Sequence, residues 1–165
     1  MALRVARLPR GLQGRLGLGL VHHGLVYARL GHLSAPLGGR PAAAILVALG
    51  TNDALLKHSA QDFEKNYLEL LAQLSKVTDH LSVLGIPAVE TRGGMMAKRQ
   101  TDAMSRIDAL NAMLPALAIK GHAAFIPMPS MPMPHTIDGV HLDAAGYAVW
   151  DDAVLKGVSG ACSTH

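Results

Sequence analysis

A chain of 165 residues is long enough for one domain with a substantial core and too short for two of ordinary size. Half of its residues are hydrophobic and 16% are charged, which excludes a disordered acidic or basic polypeptide. The net charge of +3 is unevenly spread: Arg4, Arg7, Arg10, Arg15, Arg29 and Arg40 fall within residues 1–40, where no acidic residue occurs.

An arginine-rich arm can serve nucleic acid, but here no aromatic stacking set is interleaved with it and no reading motif accompanies it. No nucleic-acid partner is therefore expected. Cys162 is the only cysteine, so no intrachain disulfide can form. No apolar stretch has the length of a transmembrane segment; the run from Leu16 to Val26 is broken by glycines and by His22-His23. Residues 1–40 are read as an atypical basic segment, 41–158 as the domain proper and 159–165 as a polar tail.

From residue 41 onward, short apolar runs alternate with long amphipathic segments, the pattern of strands and helices in an α/β sheet. Ala44 to Leu49 predicts a strand buried on both faces. Phe63, Tyr67, Leu70, Leu71, Leu74, Val77 and Leu81 recur at spacings of three and four and predict one helix over 60–83, stopped by Gly85. Ile86 to Val89 then reads as a strand, Asp102 to Ile119 as a helix, Ala123 to Ile126 as a strand and Ala144 to Val158 as the closing helix. Parallel strands joined by helices give a doubly wound, mostly parallel sheet with helices on both faces, a flavodoxin-like three-layer α/β/α sandwich. Ligands bind such sheets beyond the C-terminal ends of the strands. The segments there are Gly50 to Leu56, Thr91 to Arg99 and Pro127 to His141.

Two of these segments carry chemistry. Gly50-Thr51-Asn52-Asp53 turns sharply out of a strand, and its asparagine can aim an amide donor into the crevice, although the same residues also suit an ordinary turn or helix cap. In Asp138-Gly139-Val140-His141, a carboxylate three residues before an imidazole can accept its second ring proton and fix its tautomer, as a general base requires. Asp143 reads as the N-cap or the first-turn acid of the last helix. His135, Asp138 and His141 are suitable metal ligands by type, but three ligands so close together match no metal spacing, and no metal or cofactor is expected. Pro127 to Pro134 alternates prolines with methionines around Ser130 and must be a stiff loop; it is either an apolar acyl-pocket wall or a plain connection.

In this order and at these places, the two motifs together resemble the SGNH (GDSL-type) hydrolases, over roughly residues 41–158. Gly50-Thr51-Asn52-Asp53 matches that family's third sequence block. Asp138-Gly139-Val140-His141 matches its fifth, with the Leu-Asp-Ala-Ala-Gly-Tyr continuation. The resemblance implies acyl transfer from a small-molecule ester, with His141 as base, Asp138 as its orienter and Asn52 beside Gly50 as oxyanion donor. It also implies a Gly-Asp-Ser nucleophile block, which this sequence does not contain.

The nucleophile is therefore unassigned, and Ser34, before Gly38-Gly39, reads as a turn. For the block-two glycine of the oxyanion hole, Gly24 fits the spacing if Leu18 to Val21 is a strand; Gly14 fits the local pattern. The family's first strand should sit mid-sheet, so either Leu16 to Val21 replaces it or it is missing. The composition of residues 1–40 leaves two accounts open: a start assigned in the wrong place or frame, or a diverged, serine-free member that binds ligands without catalysis.

Overall fold

The computed structural model describes residues 18–21, 44–76, 78–92 and 97–162. Gly14, Gly24 and Ser34 lie outside the described residues. Four strands, β1 (Leu18–Val21), β2 (Ala44–Val47), β3 (Leu81–Leu84) and β4 (Ala124–Ile126), form one parallel sheet in the order β1-β2-β3-β4. The helices are α1 (Thr51–Leu56), α2 (Ala60–Leu74), α3 (Ala97–Lys120) and α4 (Ala144–Cys162).

Alternation along the strands divides the core between the two faces of the sheet. Ile45, Val47, Leu81 and Val83 join Phe63, Tyr67 and Leu71 of α2 and Ile107, Leu110, Leu114 and Leu117 of α3. Leu46, Leu84 and Ile126 point the other way, onto Trp150 and Val154 of α4. The expected α/β architecture, a parallel sheet with helices on both faces, is the observed one. Leu18–Val21 pairs in register with Ala44–Val47, so the place beside β2 is filled.

One stretch departs from the sequence reading. The predicted helix over 60–83 ends at Leu74, and the strand lies at Leu81–Leu84 rather than Ile86 to Val89. All four residues of β3 are buried, so its apolar run continues the three-four spacing of α2 by coincidence and hides the change of element. Gly85 is no helix stop. A Cβ there would lie 2.7 Å from the Met128 amide nitrogen, and its own amide bonds Ile126 O at 2.9 Å. The next residue, Ile86, pairs with a side chain instead of a strand: Asn111 Oδ1 accepts from its amide at 2.7 Å, and Asn111 Nδ2 donates to its carbonyl at 2.9 Å. α3 begins earlier than predicted, at Ala97, and α4 continues past Val158 to Cys162. No helix among the described residues is long and apolar enough to cross a membrane.

Leu114 is fully buried and Ile119 is 76% exposed on the same helix. Leu114→Ala should destabilise the fold by about 2–5 kcal/mol through lost burial and the cavity left behind. Ile119→Ala should stay within about 0.5 kcal/mol. Urea denaturation of the two variants checks the contrast.

Candidate active site

Because β2, β3 and β4 are parallel, the segments leaving Val47, Leu84 and Ile126 emerge at the same edge of the sheet. Gly50 turns the first of them into α1 with φ of 128°, a conformation that L side chains rarely adopt. Space excludes a side chain as well, since a Cβ would lie 2.3 Å from Ile86 Cδ1. The turn places Asn52, half-buried, in the first turn of α1. Asp53 beside it points inward and is buried, with Oδ1 3.0 Å from His58 Nδ1. Desolvation and then the nearby Asp53 charge push the buried Tyr67 phenol well above the ordinary tyrosine range.

The segment after β4 folds back on itself through an antiparallel bridge between Thr136 and Leu142. Ile137 N donates to His141 O at 2.8 Å and Asp143 N to His135 O at 2.9 Å. Gly139, with φ of 90°, makes the turn. Asp138 Oδ1 accepts from the amides of His141 (2.8 Å) and Val140 (3.0 Å), and Oδ2 lies 2.7 Å from His141 Nδ1. The His141 amide bond, followed by its ring, lowers the Asp138 carboxyl to about 2, against the opposing pull of burial. An ionised carboxylate at Nδ1 keeps the proton on that nitrogen and leaves Nε2 as the basic one. No described residue hydrogen-bonds Nε2. Asp143 caps α4, its Oδ1 accepting from Gly146 N at 2.9 Å.

The structure thus brings Asp138 and His141 into contact and sets Asn52 and Gly50 at the same edge of the sheet, with no hydrogen bond from Asn52 to the pair. His135 is separated from them. It is buried, with Nε2 3.1 Å from Ala88 O, and among the described residues no group of three or more histidine, cysteine, aspartate or glutamate side chains is placed to hold a metal ion. The Met-Pro loop is divided: Met128 and Met131 pack against the α4 side of the core, while Met133 is exposed. Sequence reasoning passed over Glu90 and Gln100, both buried and both bonded to the 135–139 segment. One signal was available, since Gln100 opens the inward-facing series Ala103, Ile107, Leu110 as a polar residue on an apolar face.

The parallel sheet with helices on both faces makes this a three-layer α/β fold, with the carboxylate–imidazole pair on the loop past its last strand. The sequence profile of the GDSL-like lipase/acylhydrolase family matches residues 3–149, and the chain belongs to that family. Among solved structures, an acetylxylan esterase from Geobacillus stearothermophilus, crystallised as a catalytic mutant, superposes with a TM-score of 0.66 at 11% identity, over 82% of this chain and 68% of its own. An alpha/beta hydrolase enzyme from the metagenome of Lake Arreo, Spain, gives 0.64 at 15%, over 83% and 68%. A GDSL-like lipase from Bacteroides thetaiotaomicron gives 0.55 at 22%, over 73% and 63%. Curated proteins give no match.

The Asp138 carboxyl should titrate near 2 when followed by carboxyl carbon NMR. Its folded value lies below the ordinary 3.8, so its contribution to stability is complete above pH 3.8 and is lost as pH falls through about 2. In His141→Ala the midpoint should rise only part of the way to 3.8, because the two backbone donors remain. A full return would mean that the ring, and not the loop backbone, holds the carboxylate.

Proposed function

We propose that this chain carries the site of a serine-type carboxylic-ester hydrolase, with His141 as general base, Asp138 as its orienting carboxylate and Asn52 as an oxyanion donor. The observation that carries the reading is the 2.7 Å contact between Asp138 Oδ2 and His141 Nδ1, on a loop beyond the C-terminal end of β4. In this reaction a hydroxyl oxygen attacks the ester carbonyl carbon as His141 Nε2 takes its proton. The carbonyl electron pair moves onto oxygen, where the Asn52 amide and backbone amides, that of Gly24 among them, stabilise the charge. Collapse of the adduct breaks the bond to the alcohol, which leaves with the proton from His141. Water then repeats the sequence on the acyl-enzyme. Gly50 has the supporting part of shaping the turn that presents Asn52. Residues 41–158 form the catalytic domain in this reading.

The attacking hydroxyl is unassigned. Among the described residues no serine hydrogen-bonds His141; Ser59 Oγ is taken by Asp62 at 2.6 Å, and Ser82 is buried in β3. That observation favours a second reading, a ligand-binding module that retains the crevice without turnover.

Hydrolysis of p-nitrophenyl acetate by the full chain separates the two. If the first holds, His141→Ala should lower kcat/KM by about 10²–10⁴-fold. Asn52→Ala should lower kcat by about 10²–10³-fold. Turnover that survives Ser34→Ala places the nucleophile elsewhere. No turnover above buffer sinks the catalytic reading, and the binding reading then requires shifts of the Asn52 and His141 resonances on titration with acetylated xylo-oligosaccharides.

A further inference from the structure

We propose that Glu90 is the positioning residue of the Asp138–His141 pair, acting through the backbone of residues 135–139; the inference rests on the functional reading above. Glu90 is 3% exposed, and its side chain lies directly beneath the segment that leads into the pair. Oε1 accepts from His135 N at 2.9 Å and lies 3.2 Å from His135 Nδ1. Oε2 accepts from Thr136 N at 3.1 Å, from the Thr136 hydroxyl and from Arg92 Nη2 at 3.1 Å.

The chain of bonds continues toward the pair. Thr136 Oγ1 accepts from Gly139 N at 3.1 Å, and the Glu90 amide donates to Gly139 O at 2.8 Å. Gln100 completes the hold by donating from Nε2 to Asp138 O at 2.9 Å while its Oε1 accepts from Arg92 N at 3.0 Å. Gly139 fits this seat because it has no side chain: a Cβ would lie 2.2 Å from Gln100 Nε2 and 2.5 Å from Glu90 O. Asp138 and His141 are themselves exposed, at 54% and 68% of their side chains. Their own packing therefore does little to fix them, and the groups that do so lie underneath.

Three donors meet Oε2 and the His135 amide meets Oε1, which makes Glu90→Gln a sharp probe. The amide keeps the volume but turns an NH2 group toward amide or guanidinium donors, so a role in filling space survives the change and a role in positioning does not. Thr136→Val is the milder second variant. It removes the hydroxyl that links Glu90 to Gly139 and accepts a long contact from Arg92 Nη2, but keeps the backbone bonds to Glu90, and it carries the test if Glu90→Gln does not fold.

The readout is amide hydrogen exchange on the full chain. In both variants the Val140 and His141 amides, bonded to Asp138 Oδ1, should exchange about tenfold or more faster, while β2 and β3 amides keep their rates. Asp138 should also titrate closer to 3.8. If loop and core amides accelerate by the same factor, or neither does, Glu90 is merely structural and the proposal is overturned. Where the wild type turns over ester, kcat should fall while KM holds. A wild type without turnover removes the hydrolase reading but leaves the exchange result to decide the role of Glu90.

Discussion

The fold depends on a strand that must be covered on both sides. Ala44–Val47 is buried at every position, and a parallel strand cannot be joined to its neighbours by tight turns. Its odd-numbered side chains require α2 and α3 on one face, and Leu46 requires α4 on the other. The connections that carry those helices over the sheet all begin at one edge, where the strands end. Placing Asn52 and the Asp138–His141 loop at that edge is thus a consequence of burying β2, and the proposed site inherits its location from the core.

The last of these connections cannot rely on apolar burial, because most of its residues from Pro127 to Asp138 are not buried. It is held instead by a carboxylate taken out of water. Burying an unpaired carboxylate costs several kcal/mol, and only a full set of partners offsets that. Glu90 has them: burial alone would raise its carboxyl, but the Thr136 hydroxyl, the His135 amide and the adjoining His135 and Arg92 together hold it below the ordinary value. A charge so placed stabilises one arrangement of its donors, and these donors are the backbone of the loop that precedes the pair.

The separation of partners along the chain decided what the sequence could reveal. Asp138 and His141 are three residues apart, so their contact follows from local geometry and was readable, as was the Asp143 cap. The strand β2 was readable because Gly50 punctuates it. By contrast, β3 shows no alternation, being buried on both faces, and only its pairing with β2 and β4 distinguishes it from the end of α2. Glu90 lies 45 residues from His135, and nothing near position 90 announces that a distant loop will supply its donors. Gln100 left a trace as a polar residue on an apolar helix face, but the trace does not say what it bonds.

An exposed ion pair contributes about 0–1 kcal/mol, since water and salt compete for both members. Asp138 and His141 form an equally exposed hydrogen-bonded pair, and their mutual attraction is too weak to define the loop that carries them. The dependence therefore runs the other way: the loop backbone is fixed first, two of its amides are presented to Asp138 Oδ1, and the imidazole meets a carboxylate already oriented. This arrangement leaves His141 open to solvent while the loop that carries it is bonded to groups that solvent does not reach. A general base needs accessibility at one nitrogen and immobility at the other. In the proposed reading the two requirements would be met in different layers of the protein, accessibility at the surface and immobility in the buried contacts of Glu90 and Gln100.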